Sequence, residues 1–264
     1  GAIVLGGGRS TRMGMNKLTL EIDGASLLER AVAAALGWAK QIIQESMRLY
    51  PPVWSGGVPD WNGFDWNEFC VVRFGYSLEA PATHLVSSDQ LSNGLLAFER
   101  MWQRGYRRIG MVMWKLQGTR KVRFAAGYLY GQLQVPAKNR LPPLMLNEAG
   151  QPADARQLLA WLKQSKPDAI LTDISSLPDM LDKAGYRVPD DFGLATLSVL
   201  DGGISAGIYQ NSEEIGAAAV QQLISLIHHN QRGIPEIPRE ILIPGRWVDG
   251  DSLPEKIPPG APQR

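Results

Sequence analysis

Strands and helices alternate along most of this chain, from Phe69 to about Ile243. Short apolar runs, typical of buried strands, are separated by longer segments with the three-to-four-residue apolar spacing of helices. The runs predict strands at Cys70–Phe74, Ile109–Met113, Ala169–Thr172, Leu194–Leu200 and Glu240–Ile243. The other segments predict helices at Gln90–Arg104, Ala153–Gln164, Leu177–Ala184 and Glu213–His229. Because strand-helix-strand units connect parallel strands, we predict an α/β protein with parallel sheets.

The ends of the chain differ from this pattern. Ala2–Leu5 predicts a short strand that runs into a glycine loop, and Leu27–Tyr50 has a helical apolar spacing that ends at two prolines. Ser55–Gly63, rich in Gly, Pro and Trp, predicts a loop or a junction. The tail from Pro254 has no core pattern, so we predict disorder over residues 254–264.

Charge and cysteine content narrow the function classes. The chain has 27 Lys+Arg against 26 Asp+Glu, a net charge of +1, which gives no electrostatic case for nucleic-acid binding. No apolar run approaches the length of about 20 residues that a membrane helix needs. Cys70 is the single cysteine, so we expect a reducing, cytoplasmic location. His84, His228 and His229 do not have metal-ligand spacing, and we predict no cofactor.

A series of motifs between about residues 61 and 253 resembles the effector-binding domain of lactose-repressor-type (LacI/GalR) transcription regulators. The landmarks occur in that family's order and are Val86–Asp89, Arg104–Gly110, Arg123–Tyr128, Pro167–Asp173, Val188–Gly193, Val199–Asp201, Tyr209–Ala219 and Pro244–Gly250. The resemblance implies a periplasmic-binding-protein-like type I fold in which two α/β subdomains close on a small polar ligand.

The same resemblance implies the ligand and its binding residues. The expected effector is a sugar or a purine-like molecule, and the protein is expected to be a binding module and not an enzyme. Asp173 and Asp201 follow predicted strands and Arg123 opens a helix, so these three side chains would bind ligand hydroxyls. Tyr76, Ser77 and Asp89 are further candidates. The resemblance is also compatible with a homodimer.

Two parts of the family pattern are missing from the sequence. We find no helix-turn-helix head, so we expect no specific DNA binding by this chain alone. The sequence also lacks about two β-α units of the family pattern at the start of the N-terminal subdomain. We therefore predict that residues 1–60 are a grafted segment, that residues 61–253 are the effector-binding domain, and that the N-terminal subdomain is incomplete or completed by the graft. In particular, Ala2–Leu5 should pair in parallel with Val71–Phe74 or a neighbour, because an unpaired strand edge is a liability.

The N-terminal glycine loop supports an alternative function. Residues 2–36 resemble the opening of molybdenum-cofactor-type nucleotidyltransferases, with Gly6, Gly7 and Gly8 followed by Arg12 and Lys17. Glycine backbone N–H groups and these two cations would bind nucleotide phosphates. No later segment matches the family's metal-binding aspartate.

A third resemblance is confined to residues 40–54. Glu45 and Arg48 resemble the ExxR helix of haem-thiolate cytochrome monooxygenases. Such an enzyme needs an axial cysteine in a glycine-rich loop, whereas Cys70 lies in a predicted strand, so haem binding is not expected. The resemblances cover fragments and not whole domains, which suggests that the chain is a recombined chimera. A chimera of this kind without any function is the third alternative.

Overall fold

The computed structural model describes residues 2–6, 21–22, 25–26, 65–76, 81–115, 122–147 and 152–256. The strands are β1 Ala2–Gly6, β2 Glu21–Ile22, β3 Ala25–Ser26, β4 Cys70–Phe74, β5 His84–Ser88, β6 Ile109–Trp114, β7 Leu144–Leu146, β8 Ala169–Thr172, β9 Gly193–Thr196, β10 Gly207–Tyr209, β11 Glu240–Ile243 and β12 Arg246–Val248. The helices are α1 Gln90–Gln103, α2 Val122–Leu133, α3 Pro152–Ser165, α4 Leu177–Lys183 and α5 Ser212–His228.

The chain forms two compact units, and each is built from two separate stretches. Unit 1 comprises residues 1–88 and 211–243, and unit 2 comprises residues 89–210 and 244–264. Unit 1 contains a four-stranded sheet in the order β1-β4-β5-β11, and unit 2 contains a six-stranded sheet in the order β12-β10-β9-β8-β6-β7. All paired strands in the two sheets are parallel except the β10–β12 pair, which confirms the predicted α/β class.

The first strand pairs as the sequence predicted. Strand β1 runs parallel to β4, with Ala2 opposite Cys70 and Gly6 opposite Phe74. A segment from the N-terminus therefore occupies one edge of the unit 1 sheet. The helix predicted over Leu27–Tyr50 and the junction predicted over Ser55–Gly63 lie outside the described residues, as does the tail from residue 257.

Unit 1 has a small core between its sheet and one helix. Cys70 and Val72 of β4 and Val86 of β5 pack with Ala219, Leu223 and Leu226 of α5. His84, at the start of β5, is only 6% exposed, and its Nδ1 accepts a hydrogen bond of 3.1 Å from the backbone N–H of Arg239. The imidazole is therefore neutral in this arrangement, with its proton on Nε2. Burial, and next the charge of Arg239, lower the pKa of His84 below its ordinary value.

This lowered pKa predicts a loss of stability in acid. In acid, His84 is protonated in the unfolded chain but stays neutral in the folded protein. Its contribution to the free energy of unfolding is therefore fully present above the ordinary pKa of about 6.5 and is lost as the pH falls below it. We expect the free energy of opening of β4 and β5, measured by amide hydrogen exchange, to fall between pH 7.5 and 5.5 by at most about 1.4 kcal/mol per pH unit. His84→Gln should reduce this slope, and an identical slope in the variant would contradict the prediction.

The unit 2 sheet is covered on both faces, and its strands alternate between two cores. Ala169 and Leu171 of β8 pack with α1 and α2, whereas Ile170 of the same strand packs with α3 and α4. The period of two residues is what a strand imposes on a sheet with two covered faces. It also explains why these strands are continuous apolar runs in the sequence.

Helices α1 and α2 pack closely at positions occupied by glycine. A Cβ atom at Gly127 would lie 2.1 Å from the carbonyl oxygen of Leu91, and one at Gly94 would lie 2.4 Å from that of Phe124. A Cβ at Gly131 would meet the ring of Phe98 at 2.4 Å. The backbones of the two helices are thus in contact at positions where any other residue would separate them.

A carboxylate joins the starts of the central strands in unit 2. Asp168, just before β8, accepts hydrogen bonds from the backbone N–H groups of Arg107 and Arg108 at 2.9 Å each, before β6. It also forms an ion pair of 2.9 Å with Lys256. Pro254 accepts a hydrogen bond of 2.7 Å from the hydroxyl of Tyr106, so this part of the segment predicted to be disordered makes defined contacts.

One predicted strand is shorter than expected, and several were missed. The strand predicted over Leu194–Leu200 ends at Thr196 and is followed by a 3-10 turn at Val199–Asp201. The Thr196 hydroxyl accepts a hydrogen bond of 3.2 Å from the N–H of Ser198, a local bond that competes with strand pairing. Strand β5 was missed because His84, Ser87 and Ser88 are polar, although the structure buries all three.

Candidate functional site

The carboxyl ends of the parallel strands in unit 2 form one edge, where α/β proteins bind ligands. Strand β6 ends at Trp114, β8 at Thr172 and β9 at Thr196, and these three strands are neighbours in the sheet. Adjacent strands lie about 4.8 Å apart, so the residues that follow them are within reach of one small molecule. The predicted residues Asp173 and Asp201 follow two of these strands.

Asp173 is held at this edge by the neighbouring strand. Its side chain is 6% exposed, and Oδ1 accepts a hydrogen bond of 3.3 Å from the backbone N–H of Trp114. The next N–H, that of Ile174, is bonded to the hydroxyl of Thr172 at 3.0 Å. These bonds orient a buried carboxylate at the strand ends. A carboxylate has about four acceptor positions, and hydroxyl groups are among the donors that it accepts.

Asp201 lies in the 3-10 turn and not at the end of a strand, which corrects the position expected from the sequence. The turn is followed by Gly202 and Gly203, both with a φ of +77°, a conformation that favours glycine. A Cβ at Gly203 would lie 2.7 Å from the carbonyl oxygen of Ser175. The loop that carries Asp201 therefore packs against the loop that carries Asp173.

Gln210 stabilises the segment between β9 and this turn. Its Nε2 donates a hydrogen bond of 2.8 Å to the carbonyl oxygen of Leu197. Sequence reasoning did not select Gln210, Ser198 or Trp114, although all three follow or end strands of this edge. Their position at the ends of apolar runs could have identified these residues as site candidates, because polar and aromatic side chains at strand ends commonly face ligands.

The remaining candidates have different surroundings. Arg123 is the second residue of α2 and is half-buried. Asp89 caps α1, because its carboxylate accepts bonds from the N–H and the hydroxyl of Ser92 at 3.1 and 2.6 Å. Tyr76, in unit 1, donates a hydrogen bond of 3.2 Å to Glu240. Asp89 thus has a structural role in this arrangement, as an N-cap.

The alternative nucleotide site is only partly within the described residues. Gly6 is the last residue of β1, at the carboxyl end of a strand of the unit 1 sheet. Gly7, Gly8, Arg12 and Lys17 lie outside the described residues, and so does Ser77. Within the described part of the chain, no cluster of His, Cys, Asp and Glu has the arrangement of a metal site. Likewise, no described helix has the length and apolar character needed to cross a membrane.

Two family models match the sequence. The model of a periplasmic binding protein-like domain matches residues 98–253, more than half of the chain. The model of a MobA-like NTP transferase domain matches residues 2–44. The comparisons give no support to the resemblance to haem-thiolate enzymes, and residues 40–54 lie outside the described residues. None of the curated proteins matches the chain.

Several solved structures with the same fold are described as transcription regulators, and their sequence identity to this chain is low. A LacI family regulator from Enterococcus faecium with bound ribose is 17% identical, with a TM-score of 0.55 and 71% of each chain covered. A periplasmic binding protein/LacI regulator from Alkaliphilus metalliredigens, complexed with D-xylulofuranose, is 16% identical, with a TM-score of 0.53 and coverage of 70% and 71%. The regulator CelR in complex with cellobiose is 19% identical, with a TM-score of 0.54; 69% of this chain is covered, but only 58% of CelR.

Proposed function

Because this chain belongs to the periplasmic binding protein-like domain family, we propose that it binds a small polar effector as the sensor domain of a transcription regulator. The observation that carries the proposal is the position of Asp173 and Asp201 on two loops in contact at the carboxyl edge of the unit 2 sheet. Two carboxylates there can accept hydrogen bonds from several hydroxyl groups of one ligand. The site is a binding site, and we assign it no reaction.

A sugar is the preferred effector class. The similar structures named above hold ribose, D-xylulofuranose or cellobiose, all of which carry several hydroxyl groups. A sugar is uncharged and donates hydrogen bonds from its hydroxyl groups. The carboxylates of Asp173 and Asp201 can accept these bonds. Purine-like molecules are the second class to test, with Arg123 as the donor for ring or carbonyl acceptors.

The test is calorimetric titration of the full chain with ribose, xylulose, cellobiose and adenine. We expect weak binding of a sugar, and Asp201→Ala should weaken it at least tenfold, because the loss of a charged hydrogen-bonding partner costs about 1.5 kcal/mol or more. Asp182→Ala is the control, since Asp182 is exposed at the end of α4, and it should leave the affinity unchanged.

Two results would contradict the proposal in different ways. If a sugar binds and Asp201→Ala retains its affinity, the site residues are wrong. If no sugar or purine binds at millimolar concentration, the alternative of a recombined chain without a working site is favoured. We also propose that residues 1–60 complete the unit 1 sheet of the effector-binding domain, with β1 as its edge strand.

Nucleotide binding is a second candidate, favoured by the match of residues 2–44 to an NTP transferase family. The parallel pairing of β1 puts Gly6 at the carboxyl end of a strand, where phosphate-binding glycine loops begin. If this candidate is correct, GTP or CTP should bind in the presence of Mg²⁺, and Lys17→Ala should weaken the binding at least tenfold. Binding that is unchanged by Lys17→Ala, or no binding, would exclude this function for the glycine loop.

A further inference from the structure

Unit 1 contains a cavity of about 490 Å³ that the proposed effector site does not use. It lies at the amino-terminal edge of the sheet, because His84 is the first residue of β5 and Arg239 immediately precedes β11. The carboxylates of the proposed effector site, Asp173 and Asp201, lie in unit 2. A strand of five residues spans roughly 15 Å, so the cavity and the carboxyl edge are separate places in unit 1.

The polar wall of the cavity is positively charged. Among the described residues, those that line it include Arg232, Arg239 and one carboxylate, that of Glu236. Among residues 65–76, 81–115, 122–147 and 152–256, neither guanidinium lies within ion-pair distance of a carboxylate; that of Arg232 donates from Nε to Asn230 at 2.9 Å. Buried His84 also lines the cavity and carries its proton on Nε2, because its Nδ1 accepts the N–H of Arg239. The wall thus has an excess of hydrogen-bond donors and positive charge.

The other wall is apolar. Val71 and Leu226, both 2% exposed, form its inner part. Ile234 and Ile237 are 49% and 77% exposed, which is unusual for isoleucine. A ligand that covered these side chains would remove apolar surface from water, which favours binding.

We propose that this cavity binds a small organic carboxylate with an apolar body, such as an aromatic acid. The carboxylate contacts Arg232 and Arg239, whose planar donor forks match its two oxygens. The apolar body packs against Leu226, Ile234 and Ile237, and the cavity volume lies within the range of about 300–1,000 Å³ that small-molecule sites occupy. This ligand differs from the proposed sugar effector in charge and in polarity. The cavity lies in unit 1, whereas Asp173 and Asp201 belong to unit 2, so this proposal does not rest on the proposed function.

The test uses benzoate as the probe and the full chain, with binding followed by saturation-transfer NMR. We expect millimolar binding of benzoate and at least tenfold weaker binding of neutral benzyl alcohol. Arg232→Gln and Arg239→Gln should each weaken benzoate binding about tenfold, since each removes a charge-assisted partner. Arg156→Gln, on the exposed side of α3 in unit 2, is the matched control and should have no effect.

The variants are chosen to preserve the fold. Arg239 contacts His84 and Leu85 through its backbone N–H and carbonyl, which Arg239→Gln retains. Equal binding of benzoate by the wild type and both variants would overturn the proposal, as would equal binding of benzyl alcohol or no binding of benzoate. Asp201→Ala should leave the benzoate signal unchanged; if it abolishes the signal, benzoate binds at the proposed effector site and the second site is excluded.

Discussion

Replacement of Gly127 by alanine is expected to destabilise unit 2 by about 3 kcal/mol. The added Cβ would stand 2.1 Å from the carbonyl oxygen of Leu91 and 2.7 Å from the backbone nitrogen of Leu95, both in α1. Neither atom belongs to a flexible side chain, so the two helices would have to separate. That movement would disturb the packing of Phe98 and Tyr128, two members of the core on this face of the sheet. Urea unfolding followed by circular dichroism measures the effect.

Gly216→Ala in α5 is the matched control for this substitution. Both glycines are helical, but a Cβ at Gly216 would have no atom of the described residues within 4 Å outside its own helix. Alanine lowers the conformational entropy of the unfolded chain, so Gly216→Ala should stabilise unit 1 by up to about 1 kcal/mol. Opposite signs for the two variants are the expected result. A loss below 1 kcal/mol in Gly127→Ala would show that the helices can separate at little cost.

The second large effect is expected at Asp168, where Asp168→Ala should cost about 3 kcal/mol of unfolding free energy. The substitution removes the acceptor for the N–H groups of Arg107 and Arg108, and hydrogen bonds to a charged group contribute about 1.5–3 kcal/mol each. The ion pair with Lys256 adds little, because the Lys256 side chain is 43% exposed and solvent screens the pair.

Two further variants separate the roles of Asp168. Asp168→Asn keeps one oxygen acceptor and loses the charge, so its cost should be less than half that of Asp168→Ala. Asp182→Ala removes an exposed carboxylate of unit 2 and should change the stability by less than about 0.5 kcal/mol. If Asp168→Ala and Asp182→Ala had equal stability in urea unfolding, the carboxylate would not hold the starts of β6 and β8 together.

The candidate site shows how far local patterns reach. Asp173 could be selected because it follows Ala169–Thr172, a buried strand whose predicted bounds agree with the structure. Asp201 was placed at the end of a strand, whereas the structure has it in a 3-10 turn that packs against Ser175. The contact between the two loops depends on the close approach of Gly203, which has no signature in the residues around it.

The sequence by itself determined three strands from their mainly apolar residues. Cys70–Phe74, Ala169–Thr172 and Glu240–Ile243 were predicted with the bounds that the structure has. Ala169–Thr172 is readable because burial on both faces of a sheet makes successive residues mainly apolar. The expected parallel pairing of Ala2–Leu5 with Val71–Phe74 was also confirmed. The prediction was possible because both segments are short apolar strands and an unpaired edge is a liability.

Only the tertiary structure decided which polar residues are buried and what they contact. His84 meets Arg239 across 155 positions of sequence, and Asp168 meets Arg107 across 61. A hydrogen bond between distant residues leaves no periodic trace, because each partner is a single polar residue among others that face solvent. The same is true of the contact between Gly127 and Leu91, where the absence of a side chain matters only after the two helices have come together.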